Sequence, residues 1–371
     1  MTGPGGRSGP VGVAVVGAGV ISKQYLDNLT VFPDIAVHAI ADLDTARAAE
    51  AARAYGVAHS GDVASALALP EVEVVLNLTI PAAHVEVDLA ALGAGKHVFS
   101  EKPLALDQQG AAKVQAAAGA AGLTVGCAPD TFLGAGIQSA LRALNSGAIG
   151  TPVAAVAAFE TSGPEIWHPS PEFLFQPGAG PLFDMGPYYL TALAALLGPV
   201  RRVAATARSG RAERTIGSGP RAGTVFAVNA PTHVNALLEF AEGASGSAAF
   251  SFDASGFGFR LEVIGTEGSL ALPDPNTFGG PVRVRRPGDK EWTELPVTGT
   301  SAGRGIGLLD LARGLRSGTP PRASGELAQH VVTVMERILD SARDGAFQTL
   351  PSVDLAVEPL PGDWDPAAAT L

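Results

Sequence analysis

The stretch Gly17-Ala18-Gly19-Val20-Ile21-Ser22 follows a short valine-rich run and opens a helical pattern. Two glycines at that spacing permit a tight turn and let the main chain approach a diphosphate at the start of the helix. Ser22 stands where such a turn usually has Gly or Ala, and it is small enough for the same close packing. Asp42 ends the next strand-like run, where a carboxylate can accept hydrogen bonds from both hydroxyls of a ribose and repel a 2′-phosphate. Gly17, Gly19, Val20, Ile21 and Asp42 therefore predict a dinucleotide site, with NAD preferred and NADP possible. Other chemistries lack their residues. His38, His59, His97, His233 and His330 form no H-x-H or HExxH pattern, and the one cysteine has no paired partner, so no metal site is expected. Cys127, in an apolar run without charged neighbours, reads as a buried strand thiol. A G-x-S-x-G elbow between strand and helix is missing, which gives no support to a serine hydrolase.

The elements that must position these residues alternate through the first third of the chain. Strand-like runs at Val11–Val16, Ile35–Ala41, Val72–Thr79, His97–Ser100 and Leu123–Cys127 are separated by helical patterns, and this predicts βαβ crossovers in a doubly wound parallel sheet. After Pro129 the pattern changes. Residues 131–145 read as helix. Strand-like runs follow at Pro152–Glu160, Arg201–Ala207, His233–Phe240, Ser247–Phe252, Phe259–Ile264, Ser269–Leu272 and Val282–Arg285, with turn residues between them. Helices are expected at Gly307–Arg316 and Glu326–Asp344. The fold class is thus α/β: an N-terminal Rossmann sheet, plus a C-terminal α+β domain with a large, mostly antiparallel open sheet. Residues 1–10 read as a flexible tail, 11–130 as the nucleotide-binding domain, and 131–371 as the substrate and oligomerisation domain.

Composition narrows the partners. The chain has 371 residues, with 25 Lys and Arg against 36 Asp and Glu, a formal charge of −11. Such acidity repels phosphate backbones and anionic lipid, so neither nucleic acid nor membrane is expected as a partner. Only 16% of residues are charged while 46% are apolar, which suits a well-buried protein that also hides surface in an oligomer. The sequence contains no apolar run long enough to span a bilayer and no signal-peptide pattern, which reads as cytoplasmic.

The segment from Val74 to Leu106, VVLNLTIPAAHVEVDLAALGAGKHVFSEKPLAL, carries a specific resemblance. With the glycine turn, its Asn77, Thr79-x-Pro81-x-x-His84, Ala94-Gly95-Lys96-His97-Val98 and Glu101-Lys102-Pro103 resemble the Gfo/Idh/MocA oxidoreductases. Gly180-Pro-Leu-Phe-Asp184-Met-Gly186-Pro-Tyr188 is similar to the family's second signature, and Gly265-Thr-Glu-Gly-Ser-Leu270 to a recurring sheet turn. The resemblance spans about residues 11 to 345.

What it implies is NAD(P)-dependent hydride transfer to or from a secondary alcohol or ketone of a sugar, glycoside or cyclitol. Lys102, just past a parallel strand's C-terminal end, would relay the hydroxyl proton and bind both cofactor and substrate; partial desolvation there would ease loss of its proton. The family often has a cis bond before the residue matching Pro103. Many members carry histidine where this chain has Tyr188, so the resemblance leaves open whether Tyr188 or Lys102 is the immediate proton acceptor. Asp184, i−4 from Tyr188 on a helix, would bind a substrate hydroxyl or orient the pair. Tyr189 would point elsewhere, into the core. Asn77, Thr79, Pro81, His84 and Glu101 would contact the cofactor. Asp130, Trp167 and His168 would contact the substrate, the indole face stacking on a sugar ring. A homodimer or homotetramer through the C-terminal sheet is implied. A dihydrodiol dehydrogenase, a tight-cofactor sugar–sugar oxidoreductase and a non-catalytic NAD-binding sensor stay open as alternatives.

Overall fold

The computed structural model describes residues 8–371, so most of the expected tail lies outside the described residues. The chain divides into two compact units. One holds the residues up to Gly134 together with Gly299–Gln329 and Leu360–Leu371; the other holds Ala135–Thr298 and His330–Pro359.

In the first unit strands and helices alternate: β1 (Val11–Val16), α1 (Val20–Leu29), β2 (Ile35–Ala41), α2 (Thr45–Tyr55), β3 (His59–Gly61), α3 (Val63–Leu67), β4 (Val74–Asn77), α4 (His84–Gly93), β5 (His97–Ser100), α5 (Gln108–Ala121) and β6 (Val125–Cys127). All six strands are parallel, in the order β3-β2-β1-β4-β5-β6. Strand β1 is buried along its whole length, which explains its unbroken apolar sequence, since a central parallel strand is covered on both faces. Local signals set the helix ends. Asp44 caps α2 by accepting from the Ala46 and Arg47 N–H groups, and Gly56 closes that helix in the left-handed conformation.

The second unit contains α6 (Ala135–Asn145), β7 (Pro152–Glu160), α7 (Gly180–Leu197), β8 (Val200–Arg208), β9 (Glu213–Thr215), β10 (Val225–Ala227), β11 (His233–Phe240), β12 (Ser245–Ser251), β13 (Gly258–Gly265), β14 (Gly268–Ala271), β15 (Val282–Arg285) and β16 (Thr293–Leu295). Then come α8 (Ile306–Ser317), which belongs to the first unit, α9 (Gly325–Asp344) and β17 (Gln348–Thr349). Nine strands form one sheet, β16-β15-β14-β13-β7-β12-β11-β8-β17, antiparallel except where β7 meets β12. Helix α7 packs on β7, β11 and β12, over a core that includes Tyr189, Phe240 and Phe250.

Two expectations need correction. The helix expected over 131–145 is a short 3-10 turn, Thr131–Leu133, followed by α6, with Gly134 extended between them. The single boundary at residue 131 also fails, because later segments return to the first unit. Arg316 there forms a two-pronged ion pair with Glu73, at 2.9 and 2.7 Å. The buried Asp34 accepts from Arg313 Nε, from the main-chain N–H groups of Thr370 and Leu371, and from the Thr370 hydroxyl. A carboxylate only 1% exposed needs such donors, and the neighbouring chain does not supply them.

In the second unit a buried cation organises the loop after β7. Arg214 on β9 pairs with Glu165 and Asp253. It also donates to the carbonyls of Ser162 and Phe252, and its guanidinium lies 5.4 Å from the ring centre of Phe175. Removing one member of such a group strands the others in low dielectric. Arg214→Ala is expected to lower unfolding free energy by about 3–5 kcal/mol in chemical denaturation; a loss below about 1 kcal/mol would show that water already screens the cluster.

Candidate active site

The first unit gathers its candidate residues just past the C-terminal ends of parallel strands, where doubly wound sheets bind ligands. After β1, Gly17 turns the chain with φ +102, and its N–H donates to the Ala41 carbonyl at 2.7 Å. A Cβ at this position would stand 2.6 Å from the Leu78 carbonyl oxygen, so both the turn and the packing on the segment after β4 require glycine. Gly19 then forms the N-cap of α1 with no side-chain cap, and a Cβ there would meet open space. The turn into α1 is thus open beside Gly19, as the approach of a diphosphate requires. Val20 and Leu43 are 95% and 97% exposed, apolar surfaces beside that turn and beside Asp42 that fit a dinucleotide.

Asp42 is buried at the end of β2. Its Oδ2 accepts from the Ala18 N–H at 2.7 Å; its Oδ1 accepts from the Asp44 N–H at 2.9 Å and from Arg47 at 2.8 Å. Burial alone would raise this carboxyl, but Arg47 and the two N–H groups outweigh it and hold the pKa below the ordinary aspartate value.

After β4 and β5 lies a second network. Asn77 donates to Asp88 at 2.7 Å and to the His84 carbonyl, while its Oδ1 accepts from the Thr79 hydroxyl at 2.6 Å. The His84 ring bridges two carbonyl oxygens, Pro103 at 2.7 Å and Thr79 at 3.0 Å, and burial lowers its pKa. Glu101 accepts from the Lys102 N–H at 2.8 Å and from the Tyr25 hydroxyl at 2.8 Å, with Arg304 4.0 Å from the same carboxylate. Burial, then the Glu101 charge, pushes the Tyr25 phenol well up, so it stays a donor. The Lys102–Pro103 bond is cis. Lys102 is half-buried, and so are Thr79 and Pro81, while Ile80 is 70% exposed.

The geometry places several of the expected site residues inside buried hydrogen-bond networks. Asn77 and His84 are wholly buried, and their polar atoms bond within the turns after β4 and β5. Glu101 is 7% exposed and holds the Lys102 N–H. Asp130 is fully buried as well. Its Oδ2 accepts from the Gly305 and Gly307 N–H groups at 2.8 and 3.1 Å and caps α8, while its Oδ1 is buried without a hydrogen-bond partner among the described residues. Its pKa is raised by burial despite Arg304 and those N–H groups. Tyr25, Arg47, Asp88 and Arg304 carry no motif and escaped the sequence reading. Cys127 is a buried thiol whose pKa burial pushes well up, which keeps it unreactive.

In the second unit Asp184 and Tyr188 lie one turn apart on α7, Asp184 half-buried and Tyr188 4% exposed. That helix starts at Gly180, φ +82, where a Cβ would stand 2.6 Å from the Pro231 carbonyl. Tyr189 is fully buried against Phe159 and Phe250. Trp167 is 67% exposed, edge-on to His168. Among the described residues no three His, Cys, Asp or Glu side chains gather as metal ligands would, and no helix is long and apolar enough to cross a membrane.

Comparison with known proteins agrees with this arrangement. The family profile described as "Oxidoreductase family, NAD-binding Rossmann fold" (GFO_IDH_MocA) matches residues 11–128, and that of the GFO/IDH/MocA C-terminal domain matches residues 137–271. Among curated relatives, inositol 2-dehydrogenase 3 of Saccharopolyspora erythraea is 32% identical over 43% of this chain and 48% of its own, so the chain spans about half of that relative's length. The dTDP-3,4-didehydro-2,6-dideoxy-alpha-D-glucose 3-reductase of Streptomyces antibioticus is 29% identical over 89% of this chain and 96% of its own. A crystal structure of an NAD binding oxidoreductase from Klebsiella pneumoniae superposes with TM-score 0.80 at 25% identity, covering 93% of this chain and all of that one.

Asp88 yields a test of the buried network. Burial raises its pKa to about 7, against the donation from Asn77. The folded protein therefore keeps a proton that the unfolded chain has released, and stability falls as pH rises from about 4 to about 7. His330, held neutral by burial with a pKa of about 4, acts oppositely, losing stability as pH falls below about 6.5. Asp88→Asn mimics the protonated acid. Its Tm advantage over the parent is expected to be near zero at pH 4, to grow towards pH 7 and then to level off; a difference independent of pH would disprove the assignment.

Proposed function

Because this chain belongs to the GFO/IDH/MocA oxidoreductases through both its NAD-binding and its C-terminal domain, we propose that it exchanges a hydride between NAD and a secondary alcohol or ketone of a sugar, glycoside or cyclitol. The observation that carries this reading is the edge of the first unit's sheet: an open α1 N-terminus after β1 and a lysine fixed just past β5. The relatives support the substrate class, since their names give a cyclitol and a deoxysugar as what they act on.

NAD, when bound, supplies the hydride acceptor or donor. Oxidation of a carbinol to a carbonyl also releases the hydroxyl proton, and that proton is the protein's task. We assign it to Lys102, whose main-chain N–H is held by Glu101 and whose position is therefore set by the buried Tyr25–Glu101 pair. Tyr188 is the second candidate for the proton, with Asp184 binding a substrate hydroxyl or orienting the pair. Trp167 and His168 offer a ring face and an imidazole to a polyol. Gly17, Gly19, Val20 and Ile21 form the diphosphate turn, Asp42 faces the ribose, and Thr79 and Pro81 flank the nicotinamide side. A second copy of the chain is proposed to cover the nine-stranded sheet. Its face away from α7 has a shallow depression of about 440 Å³ lined by Val156, Ala158, Ala204, Leu237 and Ala249, without a charged side chain; Leu237 is 55% exposed there. A flat surface of small apolar residues suits a self-complementary two-fold contact.

Two experiments decide these points. NADH formation is followed over a panel of sugars, glycosides and cyclitols, with Lys102→Ala and Tyr188→Phe alongside. Turnover with at least one polyol is expected, with kcat falling roughly 10²–10⁴-fold in Lys102→Ala while titration still detects bound NAD+; turnover that survives this change would refute the lysine assignment. Light scattering after size exclusion is expected to find an oligomer that Leu237→Glu breaks into monomers, and a monomeric parent protein would refute the sheet contact.

A further inference from the structure

The ion pair at the end of β2 bears on which nucleotide the site admits. A lone carboxylate there disfavours a 2′-phosphate by charge repulsion, but Asp42 is not alone. Its two oxygens offer about four acceptor positions, and three are filled, by the Ala18 N–H, the Asp44 N–H and the Arg47 guanidinium. One position remains, too few for a ribose diol bound through both hydroxyls. Two of the three donors are main-chain groups, fixed by the glycine turn and by the start of α2. The third can move, since the Arg47 side chain is 51% exposed and reaches Asp42 through one nitrogen. The other charged group beside it, Asp44, is committed to capping α2 through the Ala46 and Arg47 N–H groups. The pair formed by Asp42 and Arg47 carries no net charge, and its cation lies on the accessible side.

We propose that Arg47 is the specificity-determining residue of the nucleotide site: it swings aside when a ribose diol takes Asp42, and it binds the 2′-phosphate when the dinucleotide is NADP. The chain then accepts both cofactors. This inference rests on the dinucleotide site of the proposed function and adds the group that reads the 2′ position.

The test needs no substrate. The full chain is titrated by calorimetry with NAD+, NADP+, 5′-ADP and 2′,5′-ADP, as parent, Arg47→Ala and Arg47→Lys. The parent is expected to bind NADP+ within about tenfold of NAD+, and 2′,5′-ADP at least as tightly as 5′-ADP. The ratio of the NADP+ Kd to the NAD+ Kd should rise by about tenfold or more in Arg47→Ala, the loss expected of a charge-assisted contact to phosphate, and Arg47→Lys should recover part of it. Binding of NAD+ with NADP+ more than about a hundredfold weaker in the parent would overturn the proposal and leave the cofactor site standing. So would an unchanged ratio in Arg47→Ala. If no nucleotide binds the parent, the dinucleotide reading itself falls, and this inference with it.

Discussion

The carboxylate of Glu101 is the constraint on which the nucleotide-side geometry depends. It is buried, it carries charge, and its oxygens hold one hydroxyl from α1 and one main-chain N–H from the turn that bears Lys102. A charge in that setting is tolerated only when donors reach it at short range. The requirement therefore runs in two directions. Helix α1 and the lysine turn are each held where the carboxylate needs them. Asp130 does the same one strand further along, drawing the start of α8 onto the end of β6 through two N–H groups.

The sequence reading was accurate where local physics decides conformation. Strand β11 matches its expected bounds end to end because His233–Phe240 alternates buried and exposed positions, as a strand with one covered face must. Strand β1 is legible for the opposite reason, being apolar throughout. The glycine turn is legible because positive φ and close approach leave few other residues possible. Strands β9 and β10 escaped notice: three residues each, one of them built around a buried arginine, give no periodicity to read.

Side-chain partners are harder to read from sequence than elements are. Asp130, Asn77 and His84 stand at strand ends or helix starts, where a polar residue looks available to a ligand. Each has partners inside the fold: Asn77 reaches Thr79, His84 and Asp88, His84 the Pro103 and Thr79 carbonyls, and one oxygen of Asp130 takes N–H groups 175 and 177 residues away. Tyr25 carries no motif, and only the fold brings Glu101, 76 residues on, to its hydroxyl.

The discontinuity of the first unit also has a consequence for synthesis. A ribosome delivers Asp34 279 residues before Arg313 and 336 before Thr370, so the sheet emerges long before the donors that neutralise one of its most deeply placed acids. Until those donors arrive, the nascent Rossmann half carries a carboxylate that favours remaining hydrated and an α8 docking surface that lies open. The second unit is discontinuous too, since it takes His330–Pro359, with strand β17, from beyond α8. A shortened chain ending before residue 360 would keep Gly17, Asp42 and Lys102 while losing the Thr370 and Leu371 donors that Asp34 takes in this fold.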